Sequence, residues 1–108
     1  MGREALGEFE HQVLLTILRL GAESYSVPIV LELEERTGKR VAPAAVHIAL
    51  TRLEKKGLLC SRLVEPGPDE GGRVRRYFEL QPKGIERLKE SRRALASLWE
   101  GLDPVLDA

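Results

Sequence analysis

The chain has 108 residues, 43% hydrophobic and 31% charged, and its 17 basic and 17 acidic side chains cancel to a formal net charge of zero. That length suits one domain with a modest core, too apolar for a disordered chain and too often interrupted by polar residues for a membrane span. The neutrality holds only in sum: residues 39–76 carry nine Lys or Arg against four Asp or Glu, residues 1–38 carry −4 and residues 77–108 carry −1. A neutral protein with one basic segment is a candidate polyanion binder whose other surfaces do something else. No basic region leads into an apolar stretch at the N-terminus, so no secretory signal is expected. The single Cys60 cannot form an internal disulfide, which suits a reducing cytoplasm.

Leu6, Phe9, Val13, Ile17 and Leu20 recur at helical spacing, and Leu14 and Leu18 widen the stripe. The first helix should therefore pack on two sides and stop at Gly21. Ser24 or Ser26 can cap a second helix, with Pro28 in its first turn, Ile29, Val30 and Leu33 inward, and Thr37-Gly38 at its end. Glu32, Glu34, Glu35 and Arg36 read as solvated. After a connector from Lys39 to Ala42, Pro43 opens a third helix to about Lys56 with Val46, Leu50 and Leu53 inward. Ala42 is a poor cap, so the first turn should fray unless another group supports it. Lys55 and Lys56 complement the dipole at the far end, and Gly57 terminates the helix.

Two β-rich runs follow, Leu58 to Val64 and Val74 to Leu80, joined by Pro66-Gly67-Pro68-Asp69-Glu70-Gly71-Gly72, which is turn chemistry throughout. Alternation sends Phe78 and Leu80 inward and Tyr77 and Glu79 outward, and Cys60 reads as a small core residue. Pro82 opens a last helix to about Gly101. Its apolar positions Ile85, Leu88, Leu95, Trp99, Leu102 and Leu106, interrupted by Arg92, form a heptad seam, with Leu106 doubtful beyond Pro104. The expected fold is mostly α with a small β-hairpin. It is a winged helix-turn-helix, a three-helix core with a two-stranded wing over residues 1–81, plus a C-terminal dimerisation helix over 82–108 in the same compact unit.

The residues also resemble one family. Leu6-Gly7-Glu8-Phe9-Glu10, Tyr25-Ser26-Val27-Pro28-Ile29, Glu35-Arg36-Thr37-Gly38, the block from Val46 to Leu58 and the run Gly71-Gly72-Arg73-Val74-Arg75-Arg76-Tyr77-Phe78-Glu79-Leu80 look like the PadR family of transcriptional regulators. The resemblance covers residues 6 to about 92, and the wing run decides it, since other winged-helix families share the helix block. Three positions depart from the pattern. Ser26 stands for the usual glycine, His47 for a tyrosine, and Gln81-Pro82 for a capping threonine. The resemblance implies a homodimer formed by the first and last helices, usually a repressor, and in several members an aromatic or drug-like effector near the dimer interface.

The candidate DNA-binding residues are Lys39, Arg40, Ala44, His47, Ile48, Thr51, Arg52 and Lys55 on and before the third helix, with Arg73 and Arg75 on the wing. Small residues at a helix N-terminus let the backbone approach base edges, Ile48 and the alanines suit thymine methyls, and His47 or Thr51 suits a phosphate or base. The bland alternative is a solvated surface helix beside a hairpin kept soluble by charge. For His47 a role in helix packing stays equally open, and the acidic Asp69 and Glu70 count against close phosphate contact at the tip.

The candidate dimer interface is Leu6, Phe9, Val13, Ile85, Leu88, Leu95, Trp99 and Leu102, the alternative being a seam folded back on its own first helix. Following the resemblance, Leu95 and Trp99 could bind an aromatic ligand, with Phe9 or Val13 as walls, against simple interface packing. No metal site, cofactor or catalytic constellation is expected: His11, His47 and Cys60 lack the spacing for one. The reading is a cytoplasmic repressor acting on double-stranded DNA at a palindromic site, with no membrane partner. A winged-helix module that contacts protein and not DNA is the competing class.

Overall fold

A computed structural model describes residues 6–68 and 71–107. Helix α1 (Glu8–Leu20) runs through a short 3-10 turn (Gly21–Glu23) into α2 (Ser26–Thr37) and α3 (Pro43–Lys55). Strands β1 (Leu59–Val64) and β2 (Arg75–Leu80) then pair antiparallel, and α4 (Pro82–Trp99) and the single turn α5 (Asp103–Leu106) close the chain. The order is the expected one: a mostly helical fold with a two-stranded antiparallel wing.

One apolar cluster holds the three helices and the base of the wing together. Val13, Leu14 and Ile17 of α1, Ile29 and Leu33 of α2, and Val46, Ala49, Leu50 and Leu53 of α3 meet Leu58, Leu59, Phe78 and Leu88. The turn from α3 into β1 shows how local chemistry directs the chain. Leu58 N–H donates to the Leu53 carbonyl and Gly57 N–H to that of Glu54, both at 3.0 Å, with Gly57 at φ 79°. This pair of bonds closes the helix with a left-handed glycine, and the apolar contact that accompanies it is made by Leu53 and Leu58, both fully buried.

Several expectations change. Neither Ser24 nor Ser26 caps α2: Tyr25 is the N-cap, without a side-chain bond, and Ser24 is fully buried with its hydroxyl donating to the Gly21 and Ile17 carbonyls at 2.8 and 3.3 Å. Glu32 and Glu34 are half-buried, not solvated. Glu32 pairs with Arg36 at 2.8 Å and lies 3.9 Å from Arg19. Cys60 is exposed on the outer face of β1, where its sulfur accepts the Gln81 side-chain N–H at 2.8 Å; the inward position belongs to its neighbour Leu59. Gln81 is the N-cap of α4 and makes no side-chain cap bond. The last helix ends sooner than its heptad pattern suggests. It stops at Trp99, with Glu100 and Gly101 (φ 80°) both out of helical conformation, and Leu102 is the N-cap of the separate turn α5, which holds Leu106.

Candidate nucleic-acid interface

Helix α3 starts without a side-chain cap, on Ala42 and Pro43. Its support comes from α2, where the Glu34 carboxylate accepts the Val41 N–H at 2.9 Å. That bond ties the connector to α2 one residue before the N-cap, while the first turn of α3 keeps no side-chain acceptor. The far end is held by a second carboxylate. Lys56 Nζ meets Glu10 Oε1 at 2.7 Å, and the Gly7 N–H donates to the same oxygen at 3.3 Å. Burial would push the Glu10 carboxyl up, but the Lys56 ammonium, the Gly7 N–H and the charge of Arg52 hold it below the ordinary carboxylate value.

Clamped at both ends, α3 buries Val46, Ala49, Leu50 and Leu53 and exposes Ala44, His47, Ile48, Thr51, Arg52 and Lys55. Ala44, His47, Thr51 and Lys55 follow one another at steps of three, four and four, so they form one line along the helix. Ile48 and Arg52 flank that line on the side of α1, where they border a shallow groove of about 940 Å³ beside Gly7 and Phe9. The Thr51 hydroxyl donates to the His47 carbonyl at 3.0 Å, which leaves it only lone pairs to offer outward. In that rotamer it suits a base amino group and not a phosphate. Lys39 and Arg40 are exposed in the connector just before α3.

The wing divides its arginines by face. The register pairs Val64 with Arg75, Leu63 with Arg76 and Arg62 with Tyr77. Arg76 lies on the side of the sheet that holds Phe78 and donates to the Ser61 hydroxyl at 2.9 Å, which in turn donates to Glu54 at 2.7 Å. Arg75 points to the other face, where its guanidinium carbon lies 4.4 Å from the centre of the Tyr25 ring. Tyr25 and Tyr77 are 5.2 Å apart at 56°, and Arg62 sits 5.8 Å above Tyr77. Arg73 is exposed nearer the tip, beside a small groove it shares with Glu23 and Arg75. Asp69 and Glu70 lie outside the described residues. Sequence reasoning missed Tyr25, Tyr77 and Arg62. Alternation places Tyr77 on the face of Arg75, but Tyr25 is brought to it only by the tertiary fold.

The remaining candidates lie around α1 and α4. Leu95 is 46% exposed, Trp99 49% and Leu102 47%, and Leu98, which the heptad reading passed over, is 71% exposed. Ile85 is half-buried, and Leu6 and Phe9 are half-buried against the core of their own chain. One residue departs from the expected surface: Val13 is fully buried inside the subunit core, whereas Leu88, though only 7% exposed, still lines the groove between α1 and α4. Leu15 and Leu18 of α1 instead face Leu95, Ala96 and Trp99 of α4 across an apolar groove of about 640 Å³, with Arg92 at its edge. Neither Phe9 nor Val13, the residues expected beside Trp99, lines it; Leu15 and Leu18 do. Among the described residues no group of His, Cys, Asp and Glu converges as a metal site, and no helix is long and apolar enough to cross a membrane.

Comparison with known proteins bears on this arrangement. A family model described as the transcriptional regulator PadR-like family matches residues 14–90, from α1 to the middle of α4. Among solved structures, the chain is similar to a PadR-like transcription factor from Bacteroides fragilis, at 28% identity over 90% of this chain and 88% of that chain, with a TM-score of 0.71. A PadR family regulator from Eggerthella lenta is similar at 25% identity, 89% and 81% coverage and a TM-score of 0.67. A PadR-like regulator from Bacillus cereus shares the fold at 21% identity, 93% and 92% coverage and a TM-score of 0.73. The curated proteins give no match.

Proposed function

We propose, from the premise that this chain belongs to the PadR-like family of transcriptional regulators, that it binds double-stranded DNA as a homodimer and represses transcription from a palindromic site. The observation that carries the reading is the exposed line Ala44, His47, Thr51 and Lys55 on α3 beside an arginine-bearing hairpin. A helix of small and polar side chains fits a major groove, and a cationic wing fits the adjacent backbone. In this reading Ile48 touches a thymine methyl, His47 and Thr51 meet base edges, and Lys39, Arg40, Arg52, Lys55, Arg73 and Arg75 contact phosphate. Residues 1–81 form the DNA-binding unit, and 82–108 carry the dimer helix. Such a protein works in the cytoplasm.

The dimer follows from what α4 leaves uncovered. Leu95, Leu98 and Trp99 stay 46–71% exposed on the second half of α4, and a second copy offers the same apolar face. Ile85, Leu15 and Leu18 border this surface, Leu102 extends it past the helix end, and Leu6 and Phe9 at the start of α1 complete the proposed interface. A planar aromatic effector would enter the groove between Leu15, Leu18 and Trp99 and shift the spacing of the two reading helices. Trp99 is the only tryptophan, so its fluorescence should be quenched by such ligands. A panel of planar aromatics that leaves the emission unchanged removes the effector.

The direct test is a gel shift on the chain's own upstream region, with Arg73→Ala and Arg75→Ala alongside. Both variants should weaken the shift while keeping the wild-type melting temperature. If three or four of the six cations assigned to phosphate neutralise one in each subunit, affinity of the dimer should fall about a thousandfold to ten-thousandfold between about 50 and about 200 mM salt. Weak, sequence-blind binding by all three proteins would favour the protein-contacting module instead.

A further inference from the structure

The stack Arg62, Tyr77, Tyr25, Arg75 has a shape that the fold alone does not require. Tyr25 is the N-cap of α2 yet makes no side-chain cap bond, so the helix start has no use for a tyrosine. Its half-buried ring lies between Tyr77 and the Arg75 guanidinium, 5.2 and 4.4 Å away. Backbone contacts hold together the two segments that carry the tyrosines. The Phe78 N–H donates to the Ser24 carbonyl at 2.8 Å, and the buried Ser24 is tied to the end of α1 through Gly21 and Ile17. Strand β2 is thus fastened to the connector between α1 and α2 at the residues next to the tyrosine pair.

We propose that Tyr25 is a positioning residue for Arg75 in DNA binding, with Tyr77 as its brace. A guanidinium lying on an aromatic ring loses less rotamer freedom when it meets a phosphate. Stacking occupies its face, and its donors lie in its plane, at the edge, where a phosphate is bound. The ring therefore narrows the range of positions the wing arginine samples when it meets a phosphate. Arg62, above Tyr77 at the other end, gives the stack a second cationic head. This inference rests on the DNA-binding reading above.

A double-mutant cycle on the full chain tests it, with affinity for the upstream duplex measured by anisotropy across a salt series. Tyr25→Phe should bind within about twofold of wild type, because the ring is kept, whereas Tyr25→Ala should lose about twofold to fivefold per subunit. Arg75→Ala should reduce the salt slope by about one per subunit. The decisive comparison is Tyr25→Ala in the Arg75→Ala background, where it should cost nothing further. Losses that add, or a Tyr25→Phe as weak as Tyr25→Ala, overturn the proposal. Where Tyr25→Ala loses its cooperative melt, Tyr25→Leu keeps the bulk without the π face and enters the cycle in its place. A wild-type chain that binds no duplex overturns the DNA reading itself, whereas good wild-type binding with additive losses overturns only the stack.

Discussion

A glycine at position 84 decides how closely α4 approaches the wing. An added Cβ there would stand 2.4 Å from the Leu58 carbonyl oxygen and 3.0 Å from a Leu80 methyl. The first obstacle is backbone that already accepts the Gln81 N–H at 3.0 Å, so it has little room to retreat. Gly84→Ala should lower stability by about 1–3 kcal/mol in denaturant unfolding, although alanine is the better helix former. An unchanged or raised midpoint would contradict the close approach. Cys60 teaches the opposite lesson about single positions. Its outward orientation follows from the strand alternation that buries Leu59 beside it, so small size is no guide to burial on a two-faced ribbon.

The elements are joined by carboxylates at their ends. Glu34 and Glu10 hold the two ends of α3, one through a backbone N–H and the other through Lys56. The Glu10 carboxyl is held below its ordinary value, so its contribution is fully present above the unfolded value and is lost as pH falls through the lowered one. Glu10→Gln should therefore cost about 1–2 kcal/mol at neutral pH, where the charged acceptor is lost. The gap between the two proteins should close as the solution is acidified below the carboxylate range. Denaturant unfolding of both proteins across that range measures it, and a gap independent of pH would show that the charge of Glu10 is not what matters. Because Lys56 caps the helix that carries His47 and Thr51, DNA affinity should weaken along with stability.

For the whole molecule, the apolar arm decides the outcome. The extents of 55 × 37 × 21 Å describe an elongated subunit, and every described residue of α4 beyond Ser91 is exposed. Leu95→Asp removes apolar surface that the subunit core does not use. It should leave the melting of the isolated fold nearly unchanged and, on the proposed dimer, shift the protein to single subunits in sedimentation at micromolar concentration. Loss of the second reading helix should then weaken binding to a two-fold site much more than to a half-site. A variant that sediments as the wild type does would place the dimer contact elsewhere.

The sequence by itself determined the kind and order of the elements. Helical spacing in α1 to α3, the turn residues 66–72 and the alternation of Phe78 and Leu80 are local patterns, and burial by neighbouring elements imprints them directly on the chain. The stop at Gly57 was legible for the same reason, since a left-handed backbone favours glycine. Which side of a broad apolar helix meets its own core was decided only by the tertiary structure. Val13 and Leu15 are both apolar and sit two residues apart on α1, yet one is fully buried and the other 47% exposed. Periodicity records that a face is apolar, not what covers it. The meetings of Tyr25 with Arg75, Glu10 with Lys56 and Gly84 with Leu58 likewise depend on how distant segments are brought together, and a contact across the fold leaves no spacing in the chain to read.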